Sequence, residues 1–218
     1  MNTSALQEAH ANLAAIDIGS NSFRLEFGQL LGGRYRRLEY FKETVRLGAG
    51  LDDQRRLTEA AVKKGLDCLA GFAERLQGFE HKHVRAVATQ TLREAANRDE
   101  FLARAQEVLG FPIEVLSGRE EARLIYAGVA HLQPSEEARL VIDIGGRSTE
   151  LILGKGKTPL AAESFPVGSV SLSMRFFGDG LLTPEAFRAA QIAAGAEFED
   201  ALDEFAPHKW AQALGSSG

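Results

Sequence analysis

Apolar residues recur along this chain in two registers, and the order in which the registers alternate predicts a fold. Residues 13–17 and 23–30 read as strands, with a polar tip between them, and residues 35–45 as a third strand after the Gly32-Gly33 turn. The period then changes. Thr58 caps a stretch with Val62, Leu66, Leu69, Ala73 and Leu76 at helical spacing, closed by Gly78. A buried strand follows at 84–88. Thr91-x-x-Glu94 and Asn97-x-x-Glu100 read as helix starts, the second running to Leu109, and 113–116 is a short strand. Ser117 and Glu120 fit a capping box that opens another helix. Three strands followed by alternating helices and strands make an α/β layout.

The polar stretch Gln133-Pro134-Ser135-Glu136-Glu137 marks a boundary, and the same series starts again at Arg139. An apolar run at 140–142, a returning strand at 149–153 and a third strand at 158–165 lead into a helix with Met174 and Phe177. Thr183-Pro184 is a cap with proline in the first helical position. Phe187, Ala190, Ala194, Phe198, Leu202 and Phe205 form the expected buried stripe of that helix. A last strand at 210–214 runs into a Gly-Ser-Ser-Gly loop. The expected division is into two domains, 12–130 and 131–218.

The two series share more than their order. Residues 16–28 align without gaps on 142–154 at an offset of 126, with seven of thirteen pairs identical, among them Asp17/Asp143, Gly19/Gly145, Ser22/Ser148 and Gly28/Gly154. Internal repetition outweighs local signals in choosing a fold. Here it predicts two domains of one kind, each opening with an acidic hairpin, facing each other across a central cleft. In the second hairpin Asp143 ends a strand, Gly145 and Gly146 allow a sharp turn with exposed N–H groups, and Ser148 and Thr149 add hydroxyls. A carboxylate, amides and hydroxyls on one tip suit phosphate together with a divalent cation.

Composition narrows the choices. Charged residues balance to −5, which argues against a nucleic-acid-binding surface but leaves room for a locally basic pocket. The single cysteine, Cys68, has no internal partner and falls on the apolar face of a predicted helix, the place of a small core residue. No run of about 18 apolar residues occurs, and the N-terminus lacks the order of a signal peptide, so a soluble cytoplasmic protein is expected. Among the carboxylates, Glu120 is accounted for by its capping box. Glu121 faces about 100° away, and either the helix dipole or a chemical role accounts for it.

These residues resemble the exopolyphosphatase/guanosine pentaphosphate phosphohydrolase (Ppx/GppA) family of the actin/Hsp70/sugar-kinase superfamily. The resemblance rests on residues 17–23, Val45-Arg46-Leu47, residues 88–93, residues 117–126 and residues 143–150. It implies two ribonuclease-H-like domains and Mg2+-dependent hydrolysis of terminal phosphoanhydrides, with inorganic polyphosphate or guanosine pentaphosphate as substrate. By residue, it implies Glu121 as the base that activates water, Asp143 as the metal-associated aspartate and Glu150 as the second catalytic carboxylate, with Asp143 and Glu150 holding the metal. It places Gly145, Gly146, Arg147 and Ser148 in the phosphate loop, and Asn21, Ser22 and Arg93 on phosphate.

At Arg147 the family often carries a third glycine; a side chain there gives up freedom to adopt φ > 0, while its guanidinium can bind phosphate oxygens. The resemblance also implies a homodimer in full-length form and a second domain that is incomplete at its C-terminus. The corresponding expectation is weakened activity and self-association of the 218-residue chain. Two other functions share the architecture: a non-catalytic polyphosphate or nucleotide sensor, and a kinase-like phosphotransferase, for which no acceptor-binding motif is present.

Overall fold

A computed structural model describes residues 12–217. The chain divides into two compact units between Val115 and Leu116, rather than after residue 130. Each is an α/β unit built on a mixed sheet.

In the first unit, β1 (Asn12–Ile18), β2 (Phe23–Leu31) and β3 (Arg34–Glu43) form an antiparallel meander, and β4 (Val84–Ala88) and β5 (Ile113–Val115) extend it in parallel, giving the order β3-β2-β1-β4-β5. Helices α1 (Glu59–Arg75), α2 (Gln90–Glu94) and α3 (Arg98–Leu109) supply the crossovers. Alternation sends Phe23, Leu25 and Phe27 to the core face, where they pack with Leu69, Phe72, Phe101 and Leu109 from α1 and α3. Arg24, Glu26 and Gly28 take the opposite face.

Thr58 caps α1 as expected, its hydroxyl accepting from the Ala61 N–H. Asn97 does not cap α3. Its amide pairs with both the N–H and the carbonyl of Leu57 at 2.8 and 3.1 Å, pinning two loops forty residues apart. Thr91 likewise lies inside α2 and is buried.

The second unit repeats the first four strands. β6 (Ala138–Ile144), β7 (Thr149–Lys155) and β8 (Thr158–Phe165) form the meander and β9 (Gln212–Ser217) pairs in parallel with β6, in the order β8-β7-β6-β9. Residues 215–217, expected as a loop, continue β9, because the edge of β6 offers them ladder partners as far as Ile144.

The helix expected to close the first domain, α4 (Gly118–Leu132), packs instead on the second sheet, with Ala122, Tyr126 and Ala130 buried against Val141 and Ile152. The Tyr126 ring fixes that choice. It lies over Gly154 so closely that a Cβ there would fall 2.2 Å from it. The other face carries Leu140, Leu153, Ala201 and Phe205, beside α5 (Ser169–Phe176) and α6 (Pro184–Phe198). The predicted α6 stripe is only partly buried. Ala190 and Phe205 are covered, whereas Phe187 is 50% and Leu202 66% exposed. Among the described residues no helix is long and apolar enough to cross a membrane.

Candidate active site

Antiparallel pairing decides which side chains meet at the second hairpin. Asp143 on β6 lies directly opposite Glu150 on β7, and Glu150 lies opposite Ser164 on β8. Alternation puts all three on the face covered by α4, together with Val141 and Ile152. Glu150 is 1% exposed, and the Ser164 hydroxyl donates to its Oε1 at 2.7 Å. The first turn of α4 is seated beside them. Gly118 touches Ser164, where a Cβ would lie 2.5 Å from the serine Cβ, and Arg119 pairs with Glu163 at 2.5 Å. The structure thus gathers the start of the helix bearing Glu121 and the strand pair bearing Asp143 and Glu150.

Glu120 and Glu121 have different surroundings. Taking Ala122 as the centre of the buried face, Glu120 projects roughly 160° away and Glu121 roughly 100°. Glu120 turns outward, where Arg123 holds both its oxygens at 2.8 Å. The Ser117 hydroxyl accepts from its N–H, the forward half of the expected capping box. Exposed pairs of this kind contribute little. Glu120→Gln is therefore expected to leave kcat within about twofold of the parent, with a slightly lower melting temperature, as read by steady-state kinetics and thermal unfolding.

Backbone carbonyls tie down both hairpin tips, at positions one residue apart in the repeat. In the second, the Gly145 carbonyl accepts from Ser169 N–H at 3.0 Å, and the Gly146 carbonyl from Val170 and Ser171 at 2.7 and 3.1 Å. In a trans peptide the carbonyl and the following N–H point opposite ways. Binding these carbonyls to α5 therefore turns the N–H groups of Gly146 and Arg147 away from it. In the first unit the Ser20 and Asn21 carbonyls accept from Gly48 and Arg46 at 2.8 Å each, which turns the Asn21 and Ser22 amides in the same manner.

Gly145 itself is different. Its N–H closes the turn on the Ser148 carbonyl at 2.9 Å, so of the two glycine amides expected to be exposed only that of Gly146 is turned outward. A Cβ there would lie 3.0 Å from that carbonyl, a tight approach that favours glycine. Arg147 is not among the residues with positive φ, so the expected backbone cost of a side chain at that position does not arise.

Asn21, Ser22 and Arg93 belong to the first unit. Asn21 is exposed at the tip. Ser22 is 2% exposed, and its hydroxyl has no hydrogen-bond partner among the described residues; its counterpart Ser148 is 4% exposed. Arg93 is half-buried on α2, with Nε and Nη2 donating to Gln90 at 2.9 and 2.6 Å. Two neighbours escaped sequence reasoning. Ser164 is visible only through the register of the third strand, and Ser216 only because β9 carries it beside Asp143.

The repeat also breaks at an informative position. Opposite Asp17 stands Arg24, paired with it at 2.5 Å, whereas the equivalent residue opposite Asp143 is Glu150. Burial pushes the Asp17 carboxyl above its ordinary value, and the Arg24 guanidinium beside it pulls it back. Like charges opposite one another in a ladder repel, and a divalent cation offsets that repulsion. Two hard oxygen donors suit Mg2+, which keeps several waters and takes one or two carboxylates plus substrate phosphate oxygens. Among the described residues no cluster of three or more acidic, histidine or cysteine ligands exists, so water and substrate would complete the shell.

Comparison with known proteins identifies the family of the chain. Residues 33–218 match the family described as the Ppx/GppA phosphatase family. A Haemophilus influenzae protein provisionally named an exopolyphosphatase is 46% identical over all of this chain and 69% of its own length. A solved exopolyphosphatase-like protein superposes with a TM-score of 0.88 at 27% identity, over 96% of this chain and 67% of its own. The Aquifex aeolicus PPX-GPPA enzyme superposes with a TM-score of 0.76 at 30% identity, over 95% and 68%. The chain therefore spans about two thirds of each of these relatives.

Proposed function

We propose that this chain, which belongs to the Ppx/GppA phosphatase family, removes the terminal phosphate of inorganic polyphosphate by in-line attack of water. The observation that carries this reading is the Asp143–Glu150 pair, with Glu150 buried and Asp143 half-buried, on the strand pair beside the first turn of α4, the turn that bears Glu121. The provisional name of the Haemophilus influenzae relative favours polyphosphate; guanosine pentaphosphate presents the same terminal phosphoanhydride and is the second substrate to test.

Phosphoryl transfer passes through a loose transition state, so positioning and charge stabilisation carry most of the catalysis. Glu121 takes the proton of the attacking water as its oxygen bonds to the terminal phosphorus. The bond from phosphorus to the bridging oxygen breaks, and the shortened chain leaves with that oxygen's electrons. The outward N–H groups of Gly146 and Arg147 receive phosphate oxygens, helped by the Arg147 guanidinium. Asp143 and Glu150 would hold Mg2+, which when bound neutralises charge on the transferring phosphate.

Phosphate release from long-chain polyphosphate and from guanosine pentaphosphate, measured across a Mg2+ titration, tests the reading. Asp143→Asn is expected to require at least about tenfold more Mg2+ for half-maximal rate, because a neutral amide is a poor ligand for a hard cation. Release undiminished in excess chelator would remove the cation from the mechanism, and no release from either substrate would remove the function.

A further inference from the structure

We propose that Ser164 is a positioning residue of this site, holding the Glu150 carboxylate with its hydroxyl and setting the seat of α4 with its side-chain carbon. The inference rests on the carboxylate site described above. Ser164 stands directly opposite Glu150 in the β7–β8 ladder, and its Oγ donates to Glu150 Oε1 at 2.7 Å. A carboxylate turns freely about its last torsion. A donor on one oxygen fixes the plane in which the other is presented. Glu150 is 1% exposed, so bulk water does not supply that restraint.

The same serine supports the helix. A Cβ on Gly118 would lie 2.5 Å from Ser164 Cβ and 2.8 Å from its Oγ. The first residue of α4 therefore rests on Ser164 without a spacer, with the largely exposed Arg119–Glu163 pair beside it. Ser117, the nearby hydroxyl, is engaged in capping the helix. Glu121 follows Gly118 by three residues, so the height of this contact sets the distance between Glu121 and Glu150. At residue 164 the site needs a side chain short enough to fit beneath Gly118 and able to donate a hydrogen bond. Alanine meets the first condition only.

Two variants of the full chain test this, read by Mn2+ binding to the free protein in electron paramagnetic resonance, by kcat and KM for polyphosphate, and by thermal unfolding. Partners that orient metal-ligating groups typically contribute about 10–100-fold in metal affinity or activity. Ser164→Ala is expected to weaken Mn2+ binding about tenfold and to lower kcat by a similar factor, with KM close to the parent's and a lower melting temperature, since a buried carboxylate loses a donor.

Gly118→Ala separates positioning from packing. Alanine is the better helix former, so a contact with slack in it would leave kcat unchanged and raise the melting temperature. The proposal expects kcat to fall, because α4 must lift off Ser164. It is overturned if Ser164→Ala keeps the parent's Mn2+ affinity and kcat, or if Gly118→Ala is more stable and equally active. A parent that neither binds Mn2+ nor releases phosphate overturns the site reading along with it. A parent that does both, matched by Ser164→Ala, overturns the role of Ser164 alone. Should Ser164→Ala unfold, the kcat of Gly118→Ala decides.

Discussion

Replacing Glu121 with glutamine is expected to lower kcat for phosphate release at least about a hundredfold, the lower end of what a positioned general base contributes. The melting temperature should stay with the parent's, because the substitution removes a charge and keeps the shape. The position favours this role. A base must be ionised before it acts, and the first turn of a helix stabilises a negative side chain. Glu121 sits in that turn, on the flank of the α4 face that covers Val141 and Ile152. Glu120, one residue earlier, is turned outward and occupied by Arg123. The check is a pair of rate measurements on the two glutamine variants under saturating polyphosphate and Mg2+. If Glu120→Gln were the inactive one, the assignment of the two residues would be reversed.

Features that depend on neighbours in sequence were legible; those that depend on distant partners were not. Both hairpins follow from strand alternation and glycine turns, and their repeat at an offset of 126 brought out Asp17, Asp143 and the tips. Asp143 and Glu150, seven residues apart, face each other because a hairpin of that length pairs them.

The sheet to which α4 belongs is another matter, since it depends on Tyr126 finding Gly154 twenty-eight residues on. Asn97 carries a capping signature, yet its amide is worth more to the backbone of Leu57, which no local pattern announces. Gly-Ser-Ser at 215–217 has loop composition and became strand because β6 extended beside it. Ser164 belongs to the same class. Nothing in its own segment marks it, and only the register of β8 against β7 places it on Glu150.

Arg139→Ala is expected to destabilise the second unit strongly, at about 2–4 kcal/mol, from the lost hydrogen bonds of a charged donor and the cavity together. Arg139 is 1% exposed although it lies on a strand. Its guanidinium donates to the Gln133 carbonyl at 2.5 Å and the Gly156 carbonyl at 3.1 Å, and its Nε approaches the Tyr126 hydroxyl at 3.5 Å. Gln133 closes α4, so a buried cation stands at the negative end of that helix dipole. Gly156 lies in the β7–β8 turn, and Tyr126 also donates to its carbonyl at 3.1 Å.

One side chain thereby ties the end of α4 to the hairpin whose far end carries Glu150 and Ser164. Truncation to alanine takes the charged donor from the Gln133 carbonyl, leaves the Gly156 carbonyl to Tyr126 alone, and opens a cavity under Tyr126, a lost hydrogen bond from a charged group being worth about 1.5–3 kcal/mol. Arg139→Lys keeps the charge but, with one nitrogen in place of a planar fork, should recover only part of the loss. Urea denaturation of the three proteins measures this directly. An alanine variant within 1 kcal/mol of the parent, taken as about the worth of a single ordinary hydrogen bond, would show that the clasp contributes no more than that bond.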